Sequence, residues 1–89
     1  YAIDSITNGV HSATWTAPSF QQLFDRHIPG WKADPFAFRH AISIPAQDIW
    51  AAHVQAKTRL LEEVRKRTSL PFRDDALTIG FARRVTQYK

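Results

Sequence analysis

Apolar residues recur at helical spacing in two short segments of the first half of the chain. The first follows residues 16–18, where Pro18 suits the first helical position, and residues 29–30, Pro-Gly, end it. Asp34-Pro35 repeats the start signal, so we expect a short second helix from Phe36 to Ile42.

A third and longest helix is predicted from about Ala46 to Arg67, opened by Ile44-Pro45. Its polar positions fall on the face opposite its apolar ones, which is typical of an amphipathic helix. The predicted apolar face consists of Ile49, Trp50, His53, Val54, the stem of Lys57, Leu60, Leu61 and Val64.

The pattern changes near the end of the chain from helical spacing to alternation. Leu77, Ile79 and Phe81 alternate with small or β-prone residues, which favours a strand buried on both faces, as in a parallel sheet. No other segment has the pattern of a partner strand, and a lone strand leaves its backbone groups unpaired. The predicted fold class is therefore a mainly α chain with one C-terminal strand, whose sheet we expect outside these residues.

Composition limits the class of protein. At 89 residues the chain is one small domain at most, and without methionine it has the character of a piece of a longer protein. It contains no cysteine, which fits a reducing cytoplasm, and its four histidines lack metal-ligand spacing, so we predict no metal site. No apolar run is long enough for a membrane span. The net charge of +4 favours anionic partners.

Two clusters at opposite ends of the chain are candidates for chemistry. Arg83, Arg84, Tyr88 and Lys89 follow the predicted strand, and ligands of open α/β sheets bind beyond the carboxyl ends of strands. Arginine offers a bidentate fork to phosphate and lysine a point charge. Asn8, in the Asn-Gly turn, could bind a hydroxyl-rich ligand. Taken singly, the C-terminal cluster is better interpreted as a solvated strand end and the Asn-Gly pair as a simple turn.

The two ends together resemble the α-glucan phosphorylase family, the glycogen and maltodextrin phosphorylases, and most nearly its shorter bacterial type. The resemblance lies in TNGVHSATW at residues 7–15 and LTIGFARRVTQYK at residues 77–89. Between them, in the same order as in the family, come Trp31, Asp34 and Phe38, then Ile44, Pro45, Trp50, His53 and Lys57.

The resemblance implies a fold, an activity and a cofactor. Family members are two-domain, Rossmann-like (GT-B type) cytoplasmic glycosyltransferases that use pyridoxal 5'-phosphate. They transfer a terminal glucosyl unit of an α-1,4-glucan to inorganic phosphate, giving glucose 1-phosphate. Residues 1–75 would then end the N-terminal domain, and residues 76–89 would form the first strand and phosphate-binding loop of the C-terminal domain. The resemblance leaves open whether the intact protein is a homodimer.

The family's site residues can be carried onto matching positions. Asn8 matches an asparagine that binds glucose, Arg84 the arginine that grips the substrate phosphate, and Tyr88 a tyrosine at the sugar. Lys89 matches the lysine between the substrate and cofactor phosphates. Arg83 stands where many members have a lysine facing the cofactor phosphate, so its charge is kept but its geometry is not.

Other residues are interpreted as structural, and the resemblance predicts an inactive fragment. The lysine that would hold the cofactor lies beyond this chain in the family. Trp15, Trp31 and Trp50 are predicted to be core or interdomain residues, Lys57 a packing or pairing residue, and residues 65–67 a solvated helix end. The alternative is a small basic helical module that binds nucleic acid or a protein partner; it would leave the apolar stripe of the third helix exposed.

Overall fold

The structure is a computed structural model that describes residues 2–85 and residue 87. It is mainly helical, as the sequence predicts. Its helices are α1 (Ser12–Trp15), α2 (Pro18–His27), a 3₁₀ helix (Pro35–Ser43) and α3 (Ala46–Thr68).

The predicted helix starts are confirmed. Pro18 and Pro35 each open a helix, where the missing N–H group would have had no partner. The side chain of Asp34 accepts a hydrogen bond from the backbone N–H of Phe36 at 3.1 Å and caps the second helix. This second helix is 3₁₀ rather than α, with nine residues instead of the predicted seven-residue segment.

The core lies where α2, the following turn and the 3₁₀ helix meet α3. Trp31 is 1% exposed, and its ring lies 5.4 Å from that of Phe24 and 5.6 Å from that of Phe38, measured between centroids. Its Nε1 donates to Oδ1 of Asp25 at 2.8 Å, which pairs the polar atom of a buried indole. Gly30 turns the chain into this core with φ of +80°, a conformation that favours glycine.

The predicted apolar face of α3 is only partly buried. Leu61 is buried as expected, but the helix also buries Ala52 and leaves Trp50 66% exposed. The physical reason is direction around the helix. Ala52 lies against α2, where Ser19 donates to its carbonyl oxygen, and Trp50, two residues or about 200° away around the helix, faces away from that contact.

The predicted C-terminal strand is absent from the described residues. Residues 77–85 have no regular secondary structure, and the side chains of Leu77, Ile79 and Phe81 are 86–88% exposed. A strand exists only when a second strand takes its N–H and C=O groups, and no described segment offers one. The alternating pattern is therefore present in the sequence, but the described residues contain no sheet in which it could form a strand.

Candidate functional site

Arg83 and Arg84 lie in the exposed C-terminal segment. Neither side chain forms a hydrogen bond or ion pair with another described residue. The other arginines that donate hydrogen bonds in the described chain donate them to a carboxylate or to a backbone carbonyl oxygen. The two adjacent guanidinium groups are thus available to an external anion.

Asn8 lies in an exposed loop before α1. Within the described chain, residues 2–10 form no backbone hydrogen bond, so the predicted Asn-Gly turn is not closed by one. A Cβ added at Gly9 would meet nothing within 4 Å. The Asn8 amide is therefore accessible to a ligand, and no contact among the described residues fixes it in place.

The predicted residues are not gathered into a closed pocket by the described part of the chain. No hydrogen bond or cavity joins the Asn8 loop to Arg83 or Arg84 among residues 2–85 and 87. Tyr88 and Lys89 lie outside the described residues. That Asn8 and the C-terminal cations bind glucose and phosphate at one site remains a prediction.

Polar contacts from α3 hold the segment that leads to the arginines. Arg65 Nε donates to the carbonyl oxygen of Phe72 at 2.9 Å, and its terminal nitrogen pairs with the Asp74 carboxylate. Lys57 Nζ donates to the carbonyl oxygen of Ala76. The pairing role of Lys57 agrees with the predicted packing or pairing role. Residues 65–67 were predicted to be a solvated helix end, which is wrong for Arg65, whereas Lys66 and Arg67 are exposed.

The sequence does not show which of the three basic residues at the end of α3 pairs with the returning chain. Arg65 shares a basic helix end with Lys66 and Arg67, and only the returning chain distinguishes it from them. That return begins at Ser69, which ends α3 in the left-handed conformation with φ of 59°.

A cavity of about 350 Å³ separates α3 from the returning segment. Its lining residues come from the helix and from the segment: His53, Ala56, Lys57, Leu60, Leu77, Thr78 and Gly80. Another cavity, of about 550 Å³, lies where the start of α2 meets α3 and carries charges of both signs, including Arg59 and Glu62. Neither cavity contains a residue that the family resemblance assigns to the active site.

A local charge pair lies just before the C-terminal segment. Arg73 donates two hydrogen bonds to the Asp75 carboxylate, at 2.9 and 2.7 Å. This guanidinium lowers the pKa of Asp75 below its ordinary value of 3.8, and Lys57 adds a smaller effect in the same direction. Both paired side chains are exposed, so solvent screens the interaction.

Two further classes of site are absent from the described residues. No helix there is both long enough and apolar enough to cross a bilayer. No cluster of three or more histidine, aspartate or glutamate side chains in residues 2–85 and 87 is arranged to hold a metal ion.

Comparison with known proteins gives consistent relatives. Maltodextrin phosphorylase of Thermococcus litoralis is 34% identical over 103 residues, covering 98% of this chain and 12% of the relative. Glycogen phosphorylase of Aquifex aeolicus is 30% identical over 112 residues, covering 98% of this chain and 16% of the relative. Glycogen phosphorylase of Mycobacterium tuberculosis is 32% identical over 106 residues, with 98% and 12% covered.

The chain spans about an eighth to a sixth of the length of these curated relatives. The alignments are longer than the chain, so each relative has residues in this region for which the chain has no counterpart. No family model and no solved structure gives a significant match. Over nearly its whole length, the chain is homologous to a segment of the glycogen and maltodextrin phosphorylases, and the family that its motifs indicate is confirmed.

Proposed function

We propose that this chain is a segment of an α-1,4-glucan phosphorylase. The intact enzyme transfers a terminal glucosyl unit to inorganic phosphate and releases glucose 1-phosphate. One observation carries this proposal: the homology to enzymes named phosphorylases covers 98% of the chain, which is all but about two of its residues. The guanidinium groups of Arg83 and Arg84 support it, because both are exposed and have no partner among the described residues.

The proposed roles are those that the family resemblance implies, and the chemistry of each side chain fits its role. Arg84 binds the substrate phosphate through its planar fork, and Lys89 lies between the substrate and cofactor phosphates as a point charge. Asn8 and Tyr88 bind hydroxyl groups of the glucosyl unit. These four roles are carried from the family resemblance, and the accessibility of Asn8 and Arg84 agrees with them.

The electrostatic logic of such a site is simple. Two phosphates held side by side repel each other, and the repulsion grows as water is excluded. Fixed cations offset that repulsion and stabilise charge that develops during transfer. Adjacent cations without a carboxylate partner in the described chain, as at Arg83 and Arg84, suit this purpose.

The available cations fit the phosphate of pyridoxal 5'-phosphate but not its aldehyde. Arg83, with Lys89, would face the cofactor phosphate, and that phosphate would supply a group able to exchange a proton with the substrate phosphate. Among the described lysines, Lys57 is hydrogen-bonded to the Ala76 carbonyl and Lys32 lies 5.7 Å from the Trp31 ring. Lys66 lines the cavity between α2 and α3, which contains no residue that the family resemblance assigns to the active site. The lysine that binds the aldehyde is expected in another part of the intact enzyme.

The 89 residues alone are therefore proposed to be inactive. Residues 1–75 would belong to the end of the N-terminal domain and residues 76–89 to the first strand of the C-terminal domain. The exposed alternation at Leu77, Ile79 and Phe81 supports this division, because it would be buried once a sheet forms.

Two measurements test the proposal. The intact protein, incubated with a maltodextrin and inorganic phosphate, should release glucose 1-phosphate, and absence of this product would refute the assignment. The 89-residue chain, mixed with pyridoxal 5'-phosphate and reduced with borohydride, should give no adduct at a specific lysine. A stoichiometric adduct at one lysine would refute the proposal that the cofactor-binding lysine lies elsewhere in the intact enzyme.

A further inference from the structure

Two cations of α3 differ from the others in their burial. Lys57 and Arg65 are half-buried, whereas Arg59, Lys66 and Arg67 are exposed. A long cationic side chain loses hydration when it is covered, and proteins compensate by giving its N–H groups acceptors. The covering material here is the chain that returns after α3.

The acceptors are backbone carbonyls that have no backbone partner. The carbonyl oxygens of Phe72 and Ala76 receive no backbone hydrogen bond in the described chain. Arg65 donates to the first at 2.9 Å and Lys57 donates to the second. The Asp74 carboxylate adds a charge pair with Arg65. Arg65 thus satisfies a carbonyl that would otherwise depend on water, and Lys57 supplies a donor to a carbonyl whose other recorded partner is the Thr78 hydroxyl at 3.4 Å.

The order of these contacts defines the direction of the returning chain. Arg65, late in α3, binds the earlier residue Phe72, and Lys57, eight positions before Arg65, binds the later residue Ala76. The segment therefore runs antiparallel to the helix. The cavity between α3 and residues 77–80 continues the same course.

Beyond Ala76 the chain has little else to direct it. No hydrogen bond among the described residues ties 77–85 to a helix; the Thr78 hydroxyl reaches only the Ala76 carbonyl, two residues away. Residues 72–76 are therefore the last points at which the described contacts hold the chain before Arg83 and Arg84.

We propose that Lys57 and Arg65 are positioning residues: together they form a clamp on residues 72–76 that determines where the phosphate-binding arginines are presented. The clamp itself depends on the contacts above. Its consequence for phosphate rests on the proposed function.

The clamp can be tested in the 89-residue chain, which is free of cysteine. Spin labels at Q55C on α3 and V85C, whose native side chain is 99% exposed, report the distance from the helix to the C-terminal segment. Lys57→Met and Arg65→Met should each broaden the distance distribution, and Lys57→Arg should restore it. Arg59→Met and Lys66→Met, on exposed positions of the same helix, should leave it unchanged.

Circular dichroism of each variant separates a clamp effect from loss of the helix. A distribution that is as narrow in the Lys57→Met and Arg65→Met variants as in the parent chain, with helicity retained, overturns the proposal. So does an Arg59→Met effect equal to that of Lys57→Met. If a methionine variant loses helicity, Lys57→Gln, which keeps a neutral donor, takes its place and should give an intermediate width.

The consequence is tested in the intact enzyme by steady-state kinetics. Lys57→Met should raise the KM for inorganic phosphate several-fold more than the KM for glucan, and Lys57→Arg should restore it. Equal changes in both constants would indicate a merely structural role and overturn the positioning claim. Failure of the proposed function is distinguishable, because an enzyme without phosphorolysis leaves the spin-label result intact.

Discussion

Ser19 and Ala52 join the two longest helices of the chain. The Ser19 hydroxyl of α2 donates to the Ala52 carbonyl of α3 at 2.8 Å, and both residues are buried. Small side chains at this crossing let the two backbones approach closely. The contact positions α3, on which the C-terminal segment rests.

Replacing Ser19 by alanine should lower the free energy of unfolding by about 1 kcal/mol. The loss is modest because Ala52 lies within the helical hydrogen-bond ladder and its carbonyl is not left alone. Urea unfolding followed by circular dichroism measures the change. Ser5→Ala, at an exposed position, is the control and should have no effect; equal stability of the two variants would speak against the contact.

Trp31 and Trp15 offer a matched pair for the core. Trp31→Phe removes the bond to Asp25 and leaves a small void, and should destabilise the chain by roughly 1–3 kcal/mol. Trp15→Phe, at a residue that is 79% exposed, should change stability by less than about 0.5 kcal/mol. Thermal unfolding of both variants measures the two losses of stability. A larger loss for Trp15→Phe than for Trp31→Phe would show that the core does not lie around Trp31.

Alanine substitutions at Gly30 and Gly80 distinguish the effect of backbone conformation from that of the space available to a side chain. A Cβ at either position meets nothing within 4 Å, but only Gly30 has a positive φ. Gly30→Ala should therefore cost about 1 kcal/mol of stability through strain alone. Gly80→Ala should not destabilise the 89-residue chain. A loss of stability in Gly80→Ala as large as in Gly30→Ala would show that the positive φ of Gly30 is not the cause.

The nucleic-acid alternative makes a different prediction from the phosphorylase proposal. A groove-binding module would bind duplex DNA with an affinity that falls steeply with salt. We expect only weak binding, because Trp50 and Leu60 would bring exposed apolar surface to the phosphates. Filter binding at two salt concentrations measures it. Tight binding that is abolished by Arg59→Ala and Lys66→Ala would favour the alternative.

The helix starts could be predicted from sequence because their cause is local. Proline at positions 18 and 35 fixes its own φ and lacks the N–H that a helix start leaves unpaired, so no distant residue is needed. The choice of 3₁₀ over α geometry near Phe38 was not predictable, because the two share most of their local preferences.

The C-terminal segment shows the opposite case. The alternation at Leu77, Ile79 and Phe81 predicts a strand, but pairing depends on backbone that the described chain does not provide. The bonds from Lys57 and Arg65 depend on the return of the chain, which no periodicity reveals. Likewise, Trp31 and Trp50 look alike in sequence, and only packing places one inside and the other at the surface.

The candidate site was identified from the order of its motifs rather than from physical pattern. Spacing alone leaves Arg83 and Arg84 as a solvated cluster, and the structure adds that they are accessible and unpaired among the described residues. The proposed meeting of the Asn8 loop with these arginines would require structure beyond the described chain.

Phosphorolysis by the intact protein carrying Arg84→Ala is the most direct test. Loss of a bidentate contact to the transferring phosphate should reduce kcat/KM for phosphate by about a hundredfold or more, with the glucan KM little changed. Arg59→Ala, on the exposed face of α3, should retain full turnover. Full phosphorolytic turnover by the Arg84→Ala enzyme would contradict the assignment of the cationic C-terminal segment to the phosphate site.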